Sequence, residues 1–208
     1  MNQHAERLAR ELAGIETFLR QETERLPELV RPVAAHVLDA GGKRFRPMLT
    51  VLFARLLGHE ADDVFPLAAS LEFLHSATLL HDDILDGAKL RRGKDAAHIV
   101  YSRVEAILAG DALLALANKL VADYGVPRLV SVLSEAVLRT AVGEIEEIAA
   151  CRELDLDEAG YLRIITGKTA YLIQASASVG AILARGSDDA VARAEEFGLN
   201  MGIAFQLV

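Results

Sequence analysis

The spacing of apolar residues constrains the fold of this chain more than any other feature of its sequence. Apolar side chains recur at helical intervals along nearly the whole chain, as at Leu8, Leu12 and Ile15, and no segment shows sustained strand alternation bounded by hairpin turns. Asp157 and Ser187 are predicted helix N-caps. Breaks in the pattern, which divide it into about eight helices, lie at residues 41–42, 58–59, 87–95, 124–127, 153–157 and 186–188. No linker in the sequence indicates a domain boundary, so we predict a single all-α domain over residues 1–208.

Composition narrows the class of protein. The 208 residues are 52% hydrophobic and 25% charged, and their net charge of −8 disfavours general attraction to nucleic acid or to an anionic membrane surface. The uncharged stretch from Thr169 to Ala184 is shorter than the roughly 20 residues that span a bilayer, so we predict a buried helix there and no transmembrane segment. The N-terminus lacks a signal-peptide pattern, and the single Cys151 fits a reducing compartment. We therefore expect a cytoplasmic protein in which Cys151 is a small hydrophobe at the edge of the core.

Aspartates and a histidine form the most informative motif. On a helix, Asp82 and Asp86 lie one turn apart and His75 lies two turns before Asp82, so the three side chains point to one face. Carboxylates this close raise each other's pKa unless a cation is present, and oxygen ligands one turn apart suit Mg²⁺. The alternative is a solvated helix end, but Gly87 indicates that the helix stops nearby, where the macrodipole opposes acidic groups. We favour a Mg²⁺ site.

Basic residues flank this motif on both sides. Arg91 and Arg92 follow it and can present forked donors to phosphate oxygens. Before it, the glycines at 41–42 permit a tight turn, after which Lys43 and Arg46 can converge on one anion. Taken alone, this earlier cluster is equally compatible with a helix C-cap and solvated neighbours. Acids followed by bases are typical of a site for a metal–diphosphate.

Lys168 lies within a helical segment, Tyr161 to Ala184, whose following turns are nearly all apolar or small. Either its aliphatic side chain lies along the apolar surface and brings the ammonium group to solvent, or the ammonium group faces a polar cavity. The sequence leaves both possibilities open. Asp111 and Glu144 lie beside apolar runs, where helix-capping or helix-surface roles are expected.

In order and spacing, these segments resemble the trans-prenyltransferase family, the polyprenyl diphosphate synthases, from about residue 30 onward. The stretch from His81 to Gly93 resembles the family's first aspartate-rich motif, and Gly41 to Pro47 resembles its isopentenyl diphosphate motif. Lys168-Thr169 and Phe205-Gln206 match two further signatures. The likeness is to medium- and long-chain bacterial members such as octaprenyl diphosphate synthase. It implies an isoprenoid-synthase-type helical bundle around a central apolar cavity, and a homodimer.

The resemblance also implies Mg²⁺-dependent chain elongation, in which isopentenyl diphosphate condenses with an allylic prenyl diphosphate. Asp82 and Asp86 would hold the Mg²⁺ ions. Asp83, in a supporting role, and Lys168 would be the other catalytic residues. Arg91 and Lys168 would grip the allylic diphosphate. The other implied substrate-binding residues are Lys43, Arg46, His75 and Arg92 for isopentenyl diphosphate, together with Thr169 and Gln206.

Product length in this family depends on side chains just upstream of the first aspartate-rich motif. In this chain they are Ala77 and Thr78, with Leu74 one turn deeper. Bulky aromatic side chains would form the floor of a short pocket, and none occupies these positions. The resemblance therefore implies a medium-to-long product.

The chain departs from the family pattern at two places. It ends at Val208, just before the second aspartate-rich motif would begin. We therefore expect the N-terminal two-thirds of a synthase, incomplete at its C-terminal side and impaired in activity. Glu147 stands where the family usually has Gln, and its added negative charge requires a compensating neighbour. Two alternatives stay open: a naturally short, non-catalytic subunit of a heteromeric synthase, and a class I terpene cyclase, against which the Gly-Gly-Lys-Arg segment argues.

Overall fold

Helices form most of the structure. The computed structural model describes residues 3–153 and 156–207. Its helices are α1 (Gln3–Arg25), α2 (Arg31–Leu38), α3 (Phe45–Leu56), α4 (Val64–Leu85), α5 (Ala97–Val100), α6 (Arg103–Ala122), α7 (Pro127–Glu153), α8 (Glu158–Ile165), α9 (Tyr171–Leu183) and α10 (Asp188–Leu207). A short antiparallel hairpin, β1 (Leu90–Arg91) and β2 (Lys94–Asp95), lies between α4 and α5. A π-helical turn, Thr166–Ala170, joins α8 to α9. The all-α prediction is confirmed.

The described part of the chain contains more helices than the sequence pattern predicts. The segment from Tyr161 to Ala184 is divided by the π turn, and α5 is only four residues long. Periodicity reveals neither feature, because a single π turn within a longer helical segment and a helix of four residues are both too short to show a repeat of their own. The two predicted N-caps are confirmed: Asp157 accepts a hydrogen bond from the backbone N–H of Gly160 at 2.7 Å, and Ser187 accepts one from Ala190 at 3.2 Å.

Helix α4 lies at the centre of the bundle and packs against α3, α6 and α9. Phe73, Leu67 and Leu71 on this helix have no exposed surface, and buried side chains surround its axis. The predicted buried helix is α9, in which nine of the thirteen residues are buried. None of the helices in the described residues combines the length and the apolar character of a membrane-spanning segment. Cys151 is exposed rather than at the core edge, because it lies in the last turns of α7, beyond the buried Leu133.

Close backbone contact fixes α9 against α3. A Cβ atom added to Gly180 would lie 2.2 Å from the carbonyl oxygen of Thr50. The hydroxyl of Thr50 donates to the carbonyl of Ser176 at 2.8 Å. This crossing brings the start of α3 and the π turn before α9 to the side of the bundle where α4 and α10 end.

Candidate active site

The functional candidates meet in one cleft with a volume of about 530 Å³. The loop before α3, the second half of α4, the hairpin, the π turn and the end of α10 form it. Its lining residues are Gly42, Lys43, Arg44, Phe45, Arg46, Glu72, His75, Thr78, Leu79, Asp82, Asp86, Arg91, Arg92, Lys168, Thr169, Leu172, Phe205 and Gln206. Every residue predicted to contact substrate or metal lines this cleft. Among the predicted catalytic residues, Asp83 lies outside it.

The carboxylates of Asp82 and Asp86 form the acidic side of the cleft, at the C-terminal end of α4. The pKa of Asp82 is raised to about 6, by burial first and then by the negative charges of Glu144 and Asp86, against the opposing effects of Lys168 and Arg91. Carboxylates at a helix C-terminus also oppose the helix dipole. This side of the cleft is therefore short of positive charge.

Asp82 and Asp86 fit a divalent cation. Their oxygens are of the kind that Mg²⁺ prefers, and the raised pKa of Asp82 indicates that the fold leaves its negative charge uncompensated. Within residues 3–153 and 156–207, no group of three or more His, Cys, Asp or Glu side chains is arranged to hold a metal. A cation held by Asp82 and Asp86 must therefore complete its coordination with water or phosphate oxygens, as Mg²⁺ commonly does.

Asp83 positions an arginine instead of facing the cleft. It is 3% exposed, and Arg91 donates to one of its carboxylate oxygens from Nε at 2.8 Å and also from Nη2. This two-point ion pair ties β1 to α4. This geometry agrees with a supporting role for Asp83. Its side chain does not face the cleft, because Asp82 and Asp83 are consecutive on α4 and consecutive side chains point in different directions.

The hairpin presents its arginines through a tight turn. Arg92 and Gly93 have φ angles of 51° and 78°, the positive values that a type I′ turn requires. A non-glycine residue in this region is uncommon, and such strain is often found at functional sites. The guanidinium of Arg92 lies over Gly42, where an added Cβ would approach one of its nitrogens to 2.8 Å. The glycine in the earlier motif therefore makes room for Arg92.

Arg46 and His75 lie in the most positive part of the cleft. The pKa of Arg46 is lowered to about 10 by burial, with Glu72 opposing this shift and Arg92 adding to it. Burial, then Arg46 and Arg92, lower the pKa of His75 well below its usual value, so the imidazole is neutral at pH 7. The Nε atom of Arg46 is buried without a hydrogen-bond partner. Uncompensated positive charge and an unused buried donor favour an anion with several oxygens, such as a diphosphate.

Arg44 is a site residue that the sequence does not single out. It is 7% exposed, has a φ of 46°, and donates to Glu16 at 2.7 Å, Glu72 at 2.8 Å and the carbonyl of Leu38 at 2.8 Å. Because these partners belong to α1, α4 and α2, Arg44 fixes the loop that carries Lys43. Each carboxylate partner is 28 residues away in the sequence, so no local pattern separates Arg44 from its basic neighbours.

Lys168 projects from the π turn between the cleft and α7. Its Nζ lies 2.5 Å from a carboxylate oxygen of Glu147 and 3.2 Å from one of Glu144. Burial lowers the pKa of Lys168, but the two carboxylates raise it by more, so the ammonium group stays charged. The expectation that Glu144 caps a helix or lies on its surface is wrong, because its side chain is 12% exposed and faces Lys168. Lys168 is also the neighbour that compensates Glu147.

Two glycines allow this arrangement. A Cβ added to Gly143 would lie 2.5 Å from the backbone nitrogen of Lys168, and one added to Gly167 would lie 2.7 Å from the Cα of Gly143. Helix α7 and the π turn therefore touch through their backbones, which brings Glu144 and Glu147 within reach of Lys168. The sequence contains both glycines, but their contact depends on tertiary packing.

Apolar side chains line the rest of the cleft. They are Phe45, Leu79, Leu172 and Phe205. The rings of Phe45 and Phe205 stack with centroids 6.3 Å apart, which joins the start of α3 to the end of α10. Thr78 also lines the cleft, whereas Leu74 and Ala77 are each 2% exposed and pack in the core behind it. Their role in product length stays a prediction.

Solved structures resemble this fold closely. The decaprenyl diphosphate synthase from Rhodobacter capsulatus superposes with a TM-score of 0.92 at 38% identity, over 97% of this chain and 62% of that one. The polyprenyl synthase from Caulobacter crescentus CB15, complexed with calcium and isoprenyl diphosphate, gives a TM-score of 0.90 at 39% identity, over 97% of this chain and 63% of that one. The fold is therefore of the isoprenoid synthase class.

Sequence comparison identifies the family. Residues 27–208 match the family model described as Polyprenyl synthetase. The chain is also 34% identical over 200 residues to octaprenyl diphosphate synthase of Escherichia coli (strain K12), an alignment that covers 96% of this chain and 62% of that protein. The chain belongs to the polyprenyl synthetase family. It spans about three fifths of the length of these relatives.

Proposed function

We propose that this chain supplies the substrate-binding cleft of a Mg²⁺-dependent trans-prenyltransferase. The enzyme would condense isopentenyl diphosphate with an allylic prenyl diphosphate to give a medium-to-long trans-polyprenyl diphosphate. One observation carries the proposal. In a single cleft, the carboxylates of Asp82 and Asp86 lie opposite a group of arginines, and one of these, Arg46, has a buried Nε without a hydrogen-bond partner. Family membership and the isoprenyl diphosphate in the Caulobacter structure support the same chemistry.

The acidic side of the cleft suits the allylic diphosphate. Asp82 and Asp86 would hold Mg²⁺, which, when bound, supplies the positive charge that stabilises departing pyrophosphate. Arg91, oriented by Asp83, and Lys168 donate hydrogen bonds to the same diphosphate and keep its oxygens in place while the allylic C–O bond ionises.

The basic side of the cleft suits isopentenyl diphosphate. Arg46 and Arg92 provide forked donors, Lys43 adds a point charge, and neutral His75 can donate one hydrogen bond without raising the positive potential further. A class I terpene cyclase needs no second diphosphate site. The unused donor of Arg46 therefore favours chain elongation over cyclisation.

The apolar residues between these sites suit the reacting carbon atoms. Leu79 and Leu172 line the cleft beside the stacked rings of Phe45 and Phe205. A dry apolar surface delays capture of the allylic cation by water until the isopentenyl alkene attacks it, and loss of a proton then completes the step.

Binding of isopentenyl diphosphate to the 208-residue chain tests the proposal. Calorimetry should detect binding, and Arg46→Met should weaken it at least about tenfold, because a charged donor to a phosphate oxygen is lost. Arg128→Met is the control, since Arg128 pairs with Asp188 on an exposed surface away from the cleft. Equal affinities of the two variants would contradict the proposal. An assay with farnesyl diphosphate as the allylic substrate, labelled isopentenyl diphosphate and Mg²⁺ then measures whether this chain alone catalyses elongation.

We further propose that the protein works as a homodimer through α6. Val104, Ile107 and Leu108 on this helix are 66%, 42% and 60% exposed, and their spacing forms one apolar stripe. Light scattering should give twice the chain mass for the native protein, and Leu108→Glu should reduce it to one chain mass. A native protein that stays monomeric at high concentration would contradict this assignment.

A further inference from the structure

Two cations of the cleft are each held by two carboxylates, but only one of them is available to a ligand. Arg44 is 7% exposed and its carboxylate partners fix the fold. The side chain of Lys168 is 30% exposed, and it lines the cleft while contacting Glu144 and Glu147. One positive and two negative charges leave this second group with net negative charge at the place where a diphosphate would bind.

The two carboxylates differ in how they can respond to a ligand. The side chain of Glu144 is 12% exposed and that of Glu147 is 38% exposed. Glu147 also makes the shorter contact with Lys168, at 2.5 Å against 3.2 Å. Because Glu147 is the more exposed, it can separate from Lys168 and be solvated at lower cost.

The backbone of Lys168 packs closely against α7. Its nitrogen lies where a Cβ on Gly143 would be only 2.5 Å away, so helix and π turn are in direct contact. Rotation of the Lys168 and Glu147 side chains, without backbone movement, can therefore transfer the ammonium group from Glu147 to a ligand in the cleft.

We propose that Glu147 competes with bound diphosphate for the ammonium group of Lys168 and so sets the affinity of the cleft for diphosphate. This inference rests on the proposed function, in which Lys168 binds a diphosphate. An incoming diphosphate displaces the carboxylate of Glu147 from Lys168, and the carboxylate returns when the diphosphate leaves. Glu147 thereby weakens retention of pyrophosphate, the product that must depart before the next substrate binds.

Replacing Glu147 by glutamine separates charge from position. The amide oxygen of glutamine still accepts a hydrogen bond from Lys168, so the side chain keeps its place while the competing charge is lost. Partly exposed ion pairs change an equilibrium constant by up to about fivefold. Glu147→Gln should therefore bind inorganic pyrophosphate about fivefold more tightly than the native chain in calorimetry at constant Mg²⁺.

Glu146→Gln is the matched control, because Glu146 is exposed, carries the same charge and lies on the same helix outside the cleft. It should change the affinity by less than about 1.5-fold, as expected of a screened surface charge. A Lys168→Met background provides the second test. If Glu147 acts by competing for Lys168, the gain from Glu147→Gln should fall below about twofold there.

The outcomes separate the two proposals. Equal affinities of Glu147→Gln and Glu146→Gln, or an undiminished gain in the Lys168→Met background, would overturn competition by Glu147 while leaving the diphosphate site intact. Failure of the native chain to bind pyrophosphate, or binding of isopentenyl diphosphate that is insensitive to Arg46→Met, would overturn the proposed function and this inference with it. Circular dichroism spectra and melting temperatures of all variants verify that the folds are equal.

Discussion

Replacing Arg44 by methionine should destabilise the fold strongly, because a buried carboxylate loses its partner. The side chain of Glu72 is 6% exposed and accepts a hydrogen bond from Arg44 at 2.8 Å. Removing one partner of a buried ion pair costs about 3–5 kcal/mol. Arg44 also donates to the carbonyl of Leu38. We therefore expect Arg44→Met to lower the free energy of unfolding by about 3–5 kcal/mol. For a chain of this length, about 1 kcal/mol shifts Tm by about 2–4 °C, which predicts a Tm lower by about 6–20 °C.

Urea unfolding followed by circular dichroism measures the effect of this substitution against two comparisons. Arg7→Met removes an exposed pair with Glu60, whose partners are 48% and 66% exposed, and should cost no more than about 1 kcal/mol. The double variant Arg44→Met/Glu72→Met removes both buried charges and should recover most of the lost stability. The reasoning would be refuted if Arg44→Met were as stable as Arg7→Met, or if the double variant were less stable than Arg44→Met.

Three further substitutions test the site and the packing around it. The pKa of Asp82 is raised from 3.8 to about 6 in the fold, so its ionisation costs stability increasingly between these pH values and in full above about pH 6. Asp82→Asn should therefore stabilise the metal-free chain by about 1–2 kcal/mol at pH 7, allowing for partial exposure. Thermal melts should show this gain shrinking as the pH falls from 6 towards 4, and a constant gain would contradict it. Ala77→Phe in a catalytically active form should shorten the product measured by chromatography, and an unchanged product would contradict the assigned role. Gly180→Ala should lower the free energy of unfolding by about 1–3 kcal/mol in urea, because the added Cβ would lie 2.2 Å from the carbonyl oxygen of Thr50. A decrease below about 0.5 kcal/mol would mean that α3 and α9 separate easily.

Local signals in the sequence predict the helices and the motif residues well. Asp157 and Ser187 cap helices as expected, because an N-cap acts within four residues of the chain. His75, Asp82 and Asp86 share one face because helical geometry dictates it, and all three line the cleft.

Contacts between distant segments explain what the sequence does not predict. Arg44 is distinguished from Arg46 by its two carboxylate partners, each 28 residues away in the sequence, and Lys168 pairs with Glu147 at a separation of 21 residues. Glu144 has the sequence pattern of a surface acid, yet the Gly143 contact turns its helix towards the π turn. Charge pairing of this kind depends on which helices touch, and periodicity along one helix carries no such information.

The electrostatics of the cleft differ in sign from those of the whole chain. Six cations and three carboxylates line the cleft, although the chain carries a net charge of −8. At physiological ionic strength, exposed charges are screened within about 8 Å, so the acidic exterior weakens long-range attraction of polyanions without cancelling the basic side chains inside. A ligand is therefore selected at short range, by the buried donor of Arg46 and by the exchange of Lys168 between Glu147 and a phosphate oxygen. A small diphosphate can enter the cleft that both residues line, whereas an extended nucleic acid would meet the acidic surface first.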